Sequence, residues 1–184
     1  MLLKITGNKT LHESEAEQWL EELMETFGDR LTKLAFSYLK DWGKAQEVVQ
    51  DVFLICYKKR NHMLEIKSVE SWIYRVTVNR CKDVLRSSWI KKVIINSDIF
   101  HFRRSNELLP EIIVLNKTEN EKLAENVLKL PVKYKEVILL FYYEDLSVQE
   151  ISYVLSTNQN TIKTRLKRGR DILEKNLEGS DYFE

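Results

Sequence analysis

LSVQEISYVLSTNQNTIKTRLKRGRDILEK, residues 146–175, holds two amphipathic runs separated by a polar break. In the first, Val148, Ile151, Val154 and Leu155 recur at three- and four-residue spacing, which places them on one helix face. Ser147 with Glu150 supplies a capping box at its start. The run Ser156, Thr157, Asn158, Gln159, Asn160 stops this helix, and a second is expected from about Thr161 to Leu177 with Ile162, Leu166, Ile172 and Leu173 inward. A short helix, a turn and a second helix with a basic outer face is the pattern of a helix-turn-helix. In that motif the second helix enters the major groove with its N-terminal residues at base edges. Asn160, Thr161, Lys163, Thr164 and Lys167 meet that requirement, while Arg165, Arg168 and Arg170 are placed to reach phosphates. An antiparallel helix pair with a merely polar outer face would share the pattern.

Upstream, a helical pattern runs from Glu119 to about Leu130, and Pro131 suits the first position of the next helix, whose buried face is Val137, Ile138, Leu140 and Phe141. Residues 92–118 show no sustained period, and Ser97, Asp98, Ser105, Asn106, Pro110 and Asn116 interrupt their short apolar pieces, so they read as a flexible linker. At the N-terminal side Ser14 and Glu17 resemble a capping box, followed by the stripe Trp19, Leu20, Leu23, Phe27, Leu31, Leu34, Ala35 and Tyr38. Asp41 can cap a second helix with Ala45, Val48, Val49, Val52, Phe53 and Cys56 inward. After a break from Arg60 to Lys67, Ser68 can start a third helix with Trp72, Ile73, Val76, Val84 and Leu85 mostly in the core. Five Gly and two Pro are too few turn residues for a many-stranded sheet. The expectation is an all-α chain of two small helical domains, 1–91 and 119–184, joined by the 92–118 linker.

Net charge is only +1 over 184 residues, but its distribution is uneven. Trp72 to Lys92 carries six basic residues against one acid, and Thr157 to Lys175 six against two. Two separated basic helices suit two contacts with a polyanion, where phosphate neutralisation releases counterions; solvated helix faces would look the same from charge alone. No run approaches the roughly 20 apolar residues of a membrane span, and the N-terminus turns polar too early for a signal peptide, so a cytoplasmic location is expected. Cys56 and Cys81 each lie in an apolar helical pattern with no metal-ligand spacing and read as buried thiols. His12, His62 and His101 are scattered, and no phosphate loop, nucleophile elbow or carboxylate cluster appears. An enzyme, a metal site and a cofactor are therefore not expected.

Residues 130–177, LPVKYKEVILLFYYEDLSVQEISYVLSTNQNTIKTRLKRGRDILEKNL, resemble region 4 of the sigma-70 family of RNA polymerase sigma factors. Separately, EVVQDVFLICYKK (47–59) resembles region 2.2, and SWIYRVTVNRCKDVLR (71–86) resembles regions 2.3 and 2.4. The likeness covers about 20–91 and 119–178. A chain with only these two regions and a linker is similar to the extracytoplasmic-function group.

The resemblance implies a transcription initiation factor that binds bacterial core RNA polymerase and directs it to promoter DNA. It assigns polymerase docking to Val48, Gln50, Asp51 and Phe53. Trp72, Arg75, Asn79, Arg80 and Lys82 would open the −10 element and hold a flipped base, with Asn79 as base reader because an amide both donates and accepts. Trp72 has two competing roles, core and DNA contact. Asn160, Thr161, Lys163, Thr164, Arg165, Lys167 and Arg168 would meet the −35 element as duplex. Control by an anti-sigma factor is also implied, with no small-molecule substrate and no membrane insertion. Ser152 and Ser156 stand where the family usually has Ala and Gly, and Gly169 where a small Ala is usual. The loop Met63 to Lys67 lacks the Phe-x-Gly character of relatives, which bears on −10 choice. The competing reading is a conventional helix-turn-helix regulator that binds duplex DNA on its own, with residues 1–91 as a sensing or dimerising domain.

Overall fold

Leu23, Phe27, Leu31, Leu34 and Ala35 are spaced to bury one face of a long helix, and in the computed structural model they do so along α1 (Glu13–Leu39). The structure describes residues 13–63, 65–95 and 119–178, and every element among them is helical. The chain divides into two compact units, Met1–His101 and Phe102–Glu184.

In the first unit α1 is already helical at Glu13, so Ser14 lies inside the helix and does not cap it; fully buried Ala16 and the strong helix formers around it carry the helix upstream. Leu20 sits at the edge of the buried stripe. Lys40, in the left-handed region at φ 55°, turns the chain, and Asp41 caps α2 (Trp42–Lys58), its carboxylate accepting from the Lys44 N–H at 3.0 Å. That hydrogen bond and the Lys44 ammonium hold the Asp41 carboxyl below its usual range. The ring of Phe36 meets that of Trp42 edge-on at 5.6 Å, closing the α1–α2 corner. All six apolar positions expected on α2 are buried. The valine and phenylalanine side chains among them each contribute roughly 1.5 to 3 kcal/mol when removed from water.

The break expected after Arg60 contains one helical turn, α3 (Arg60–Met63), pinned by buried Met63. Ser68 caps α4 (Val69–Ile95), accepting from the Ser71 N–H at 3.2 Å. The phase of α4 differs from the expectation: its buried face is Ser71, Ile73, Tyr74, Thr77, Val78 and Cys81, while Trp72, Val76 and Val84 are half-exposed and Leu85 is exposed. Two polar-looking residues set this phase. Thr77 satisfies its hydroxyl on the Ile73 carbonyl at 2.9 Å, and Tyr74 packs edge-on against Phe27 at 6.3 Å. Arg30 lies over both rings, 5.6 and 5.7 Å from their centroids, and pairs with Glu70 at 3.3 Å, joining α1 to α4. Since α4 continues to Ile95, the first residues read as linker are helical, and the rest of that segment, 96–118, lies outside the described residues. Burial pushes both thiols, Cys56 and Cys81, up to about 12, which keeps them protonated and unreactive at neutral pH.

The second unit comprises α5 (Glu119–Lys129), α6 (Val132–Tyr142), α7 (Val148–Leu155) and α8 (Gln159–Glu178). Pro131 is the N-cap of α6, one place before the expected first position, with φ −53° and ψ 139°. Val137, Ile138 and Leu140 are buried as expected, whereas Phe141, Val148 and Ile172 lie at the core's edge. The Ser147–Glu150 capping box is complete: Ser147 accepts from the Glu150 N–H, and the Glu150 carboxylate accepts from the Ser147 N–H at 2.9 Å. Ser156 ends α7 in the left-handed region at φ 49°, ψ 46°. An L side chain there is disfavoured by roughly 1 kcal/mol or more, and glycine is not. Ser156→Gly is therefore expected to raise the stability of this unit by about 0.5 to 1 kcal/mol, read as a higher urea midpoint. An unchanged or lower midpoint would mean the turn is held by its side chain instead.

Candidate nucleic-acid interface

Asn158, which the sequence placed only in a polar break, builds the start of α8. Its side-chain oxygen accepts from the Asn160 N–H at 2.8 Å and its carbonyl from the Ile162 N–H at 3.0 Å, so α8 begins at Gln159. Ile162, Leu166, Gly169 and Leu173 then face inward at spacings of four, three and four. That phase exposes Asn160, Thr161, Lys163, Thr164, Lys167, Arg168 and Arg170. The Thr164 hydroxyl donates to the Asn160 carbonyl at 2.8 Å, which fixes its position and leaves its lone pairs outward.

Arg165 is the exception among the expected contacts. Its guanidinium turns inward and donates to Glu136 at 3.1 Å, against a carboxylate only 6% exposed. In this geometry Arg165 fastens α8 to α6 and is partly withdrawn from any phosphate outside. The available signal was the charged pair Lys135–Glu136 running into the apolar stretch Val137 to Leu140: both are buried on α6, at 4% and 5% exposure, where a carboxylate needs a cation. Gly169, which stands where a small Ala is usual in the family, has a packing role. A Cβ there would stand 3.0 Å from Ile138 Cγ1 and 3.6 Å from Tyr134 Cβ, so glycine permits the close approach of α8 to α6.

On α4 the spacing three, four, three, four brings Trp72, Arg75, Asn79, Lys82 and Arg86 onto one stripe, opposite the buried face. Asn79 and Arg86 are exposed, and Trp72, Arg75 and Lys82 half-exposed, so the Trp72 ring borders the surface and is not enclosed in the core. Arg80 lies beside this stripe and pairs with Asp51 of α2; its Nε is buried without a hydrogen-bond partner. The stripe presents cations, an amide and an indole together. Those are the groups that bind and stack against single-stranded nucleic acid.

Of the four residues expected to dock polymerase, Val48 and Phe53 are 3% and 7% exposed and belong to the core. They set the position of α2, and its outer stripe is Glu47, Gln50, Leu54 and Lys58. Asp51 is half-exposed at its margin. Leu54, 57% exposed, shares this face through its four-residue spacing from Gln50. No helix among the described residues is long and apolar enough to cross a membrane.

Residues 23–91 match the family described as Sigma-70 region 2, and residues 120–173 match Sigma-70, region 4; together they cover more than half the chain. The ECF RNA polymerase sigma factor SigW of Bacillus subtilis is 26% identical over 163 residues, 85% of this chain and 87% of the relative. The RNA polymerase sigma factor SigV of the same organism is 28% identical over 149 residues, 81% and 85% of the two chains. Among solved structures, the sigma factor RpoE in complex with the anti-sigma factor NepR from Bartonella quintana has a similar fold, with a TM-score of 0.73 at 18% identity over 88% of this chain and 98% of that one.

Proposed function

Because this chain belongs to the sigma-70 family, in its extracytoplasmic-function group, and so directs RNA polymerase to promoters, we propose a division of that task between its two units. The outer stripe of α2, with Gln50, Leu54 and the flanking Asp51, docks on core polymerase. The α4 stripe opens the −10 element. Trp72 borders the separated strands, Arg75, Arg80 and Lys82 hold backbone, and Asn79 reads a flipped base through its amide. Extruding a base loses a few kcal/mol of stacking, which aromatic contact and edge hydrogen bonds offset. The α8 helix lies in the major groove of the −35 element with Asn160, Thr161, Lys163, Thr164 and Lys167 toward the bases and Arg168 toward phosphate. Residues 92–118 connect the units.

The observation that carries this reading is the pairing of two basic helix faces on two separate units, each in the order the two family regions require. A regulator that binds duplex alone has no need of the α4 stripe. Synthesis itself belongs to the core enzyme, so the chain acts as a non-catalytic subunit, and work on DNA places it in the cytoplasm. The RpoE structure holds an anti-sigma factor. By analogy this chain is also held by one, its two DNA-facing surfaces covered until released.

In vitro transcription tests the reading. The chain is added to bacterial core polymerase with genomic promoter fragments, and RNA starts are sequenced. Discrete starts sharing two upstream elements are expected. Asn79→Ala or Lys163→Ala is expected to lower them roughly tenfold, the effect of losing one base contact worth about 1 to 3 kcal/mol. Specific duplex binding by the chain alone, with no core binding and no starts, would replace this reading with the ordinary regulator.

A further inference from the structure

The phase that buries Ile162, Leu166 and Leu173 puts Thr164 on the exposed face of α8, beside Lys163 and one turn from Asn160 and Lys167. Its hydroxyl oxygen stands 2.8 Å from the Asn160 carbonyl oxygen. Two oxygens at that separation need a proton between them, and a carbonyl has none to give. The Thr164 proton is therefore committed inside the helix. The turn that receives it is fixed independently, because Asn158 accepts from the Asn160 N–H at 2.8 Å with its side chain and from the Ile162 N–H at 3.0 Å with its carbonyl. What the Thr164 hydroxyl shows outward is acceptor capacity alone.

That polarity sets Thr164 apart from its neighbours. An ammonium donates and never accepts, so Lys163 and Lys167 suit guanine N7 and O6 or thymine O4, and the Asn160 amide both donates and accepts. Thr164, as held here, is the converse of a lysine. In the major groove every base pair carries one exocyclic amine, on adenine N6 or cytosine N4, and a carbonyl oxygen on the partner base. An acceptor aimed at that edge gains a hydrogen bond from the amine and meets lone pairs at the oxygen. Turning the hydroxyl round to serve the oxygen would forfeit the bond to Asn160, which lowers affinity roughly twofold to tenfold.

We propose that Thr164 is an acceptor-only base reader, which selects the amine-bearing base, adenine or cytosine, at one pair of the −35 element and rejects guanine or thymine in that place. It tells A·T from T·A and C·G from G·C, and it does not tell adenine from cytosine. This role rests on the reading of α8 as the −35 helix and adds which base edge one of its residues requires.

Holoenzyme reconstituted from the full chain and bacterial core polymerase is titrated with fluorescent promoter duplexes in which each pair of the upstream element is reversed in turn. At one pair, replacing the amine-bearing base by its partner is expected to weaken parent binding roughly threefold to tenfold. Thr164→Val, which keeps the branched shape and removes the hydroxyl, is expected to be indifferent to that reversal, while Thr164→Ser retains the preference. Exchanging the same adenine for purine, or the cytosine for 2-pyrimidinone, deletes the amine alone and is expected to weaken the parent more than Thr164→Val. Lys163→Ala is expected to lose preference at a different pair. A parent preference for guanine or thymine at the pair that Thr164→Val alters would show the hydroxyl donating, and would overturn the acceptor role while leaving the −35 reading intact. Parent-like preferences throughout in Thr164→Val, with Lys163→Ala altered, would do the same. Holoenzyme indifferent to every reversal would overturn both.

Discussion

Replacing Arg165 by Ala is expected to lower the stability of the C-terminal unit by roughly 3 kcal/mol, the lower end for breaking a buried ion pair, since Arg165 keeps some access to water. Glu136 is 5% exposed, and the substitution takes from it the guanidinium that α8 supplies at 3.1 Å. For a unit this small the loss corresponds to a melting shift on the order of 15 °C. The four tryptophans, Trp19, Trp42, Trp72 and Trp89, all lie in the N-terminal unit, so two probes separate the effects. Tryptophan fluorescence is expected to melt as in the parent, while the helical circular dichroism signal acquires an early transition. Glu136→Gln is expected to be milder, because an amide can still accept from Arg165 without burying a charge. Lys163→Ala, on the exposed face of the same helix, is expected to stay within about 0.5 kcal/mol of the parent while losing DNA. If Arg165→Ala lost DNA with both melting curves unchanged, Arg165 would be a direct phosphate contact.

Arg165 also marks what could be read from sequence and what could not. Its position on α8 was legible, because Ile162, Leu166 and Leu173 fix the phase of the helix and that phase fixes every exposed residue from Asn160 to Arg170. Its partner was not, since Glu136 and Arg165 are 29 residues apart and meet only through packing. The same limit applies on α2, where the apolar stripe was found in full yet Val48 and Phe53 were given an outward role that their own periodicity contradicts. Phase was lost on α4 because Thr77 and Tyr74 are buried by contacts that hydrophobicity does not register, a hydroxyl back-bonded to a carbonyl and a ring set edge-on to Phe27. The caps at Asp41 and Ser147 were readable because a cap is local: a side-chain oxygen and a backbone N–H three residues on. Ser14 failed for a local reason too, as good helix formers on both sides let the helix run past it.

Gly169 sets two opposed effects against each other, and a graded series separates them. Ala in place of Gly raises helix propensity by about 1 kcal/mol. Its Cβ, however, would stand 3.0 Å from Ile138 Cγ1 and 3.3 Å from Cδ1, and Ile138 is 2% exposed, with little room to retreat. Gly169→Ala is therefore expected to be near neutral. Gly169→Val adds two further carbons in the same gap and forces α8 away from α6, for a net loss of roughly 2 to 3 kcal/mol and a melting shift on the order of 10 °C. Duplex binding is expected to fall with it, because α8 presents its outer face at the angle this contact sets. Trimming the opposing side chain should relieve the clash: Gly169→Val combined with Ile138→Ala is expected to be more stable than the sum of the two single losses by about 1 kcal/mol or more. Additive losses, or a Gly169→Val chain as stable as the parent, would mean that α6 and α8 separate freely here and that the angle of α8 is fixed elsewhere, by the Arg165–Glu136 pair alone.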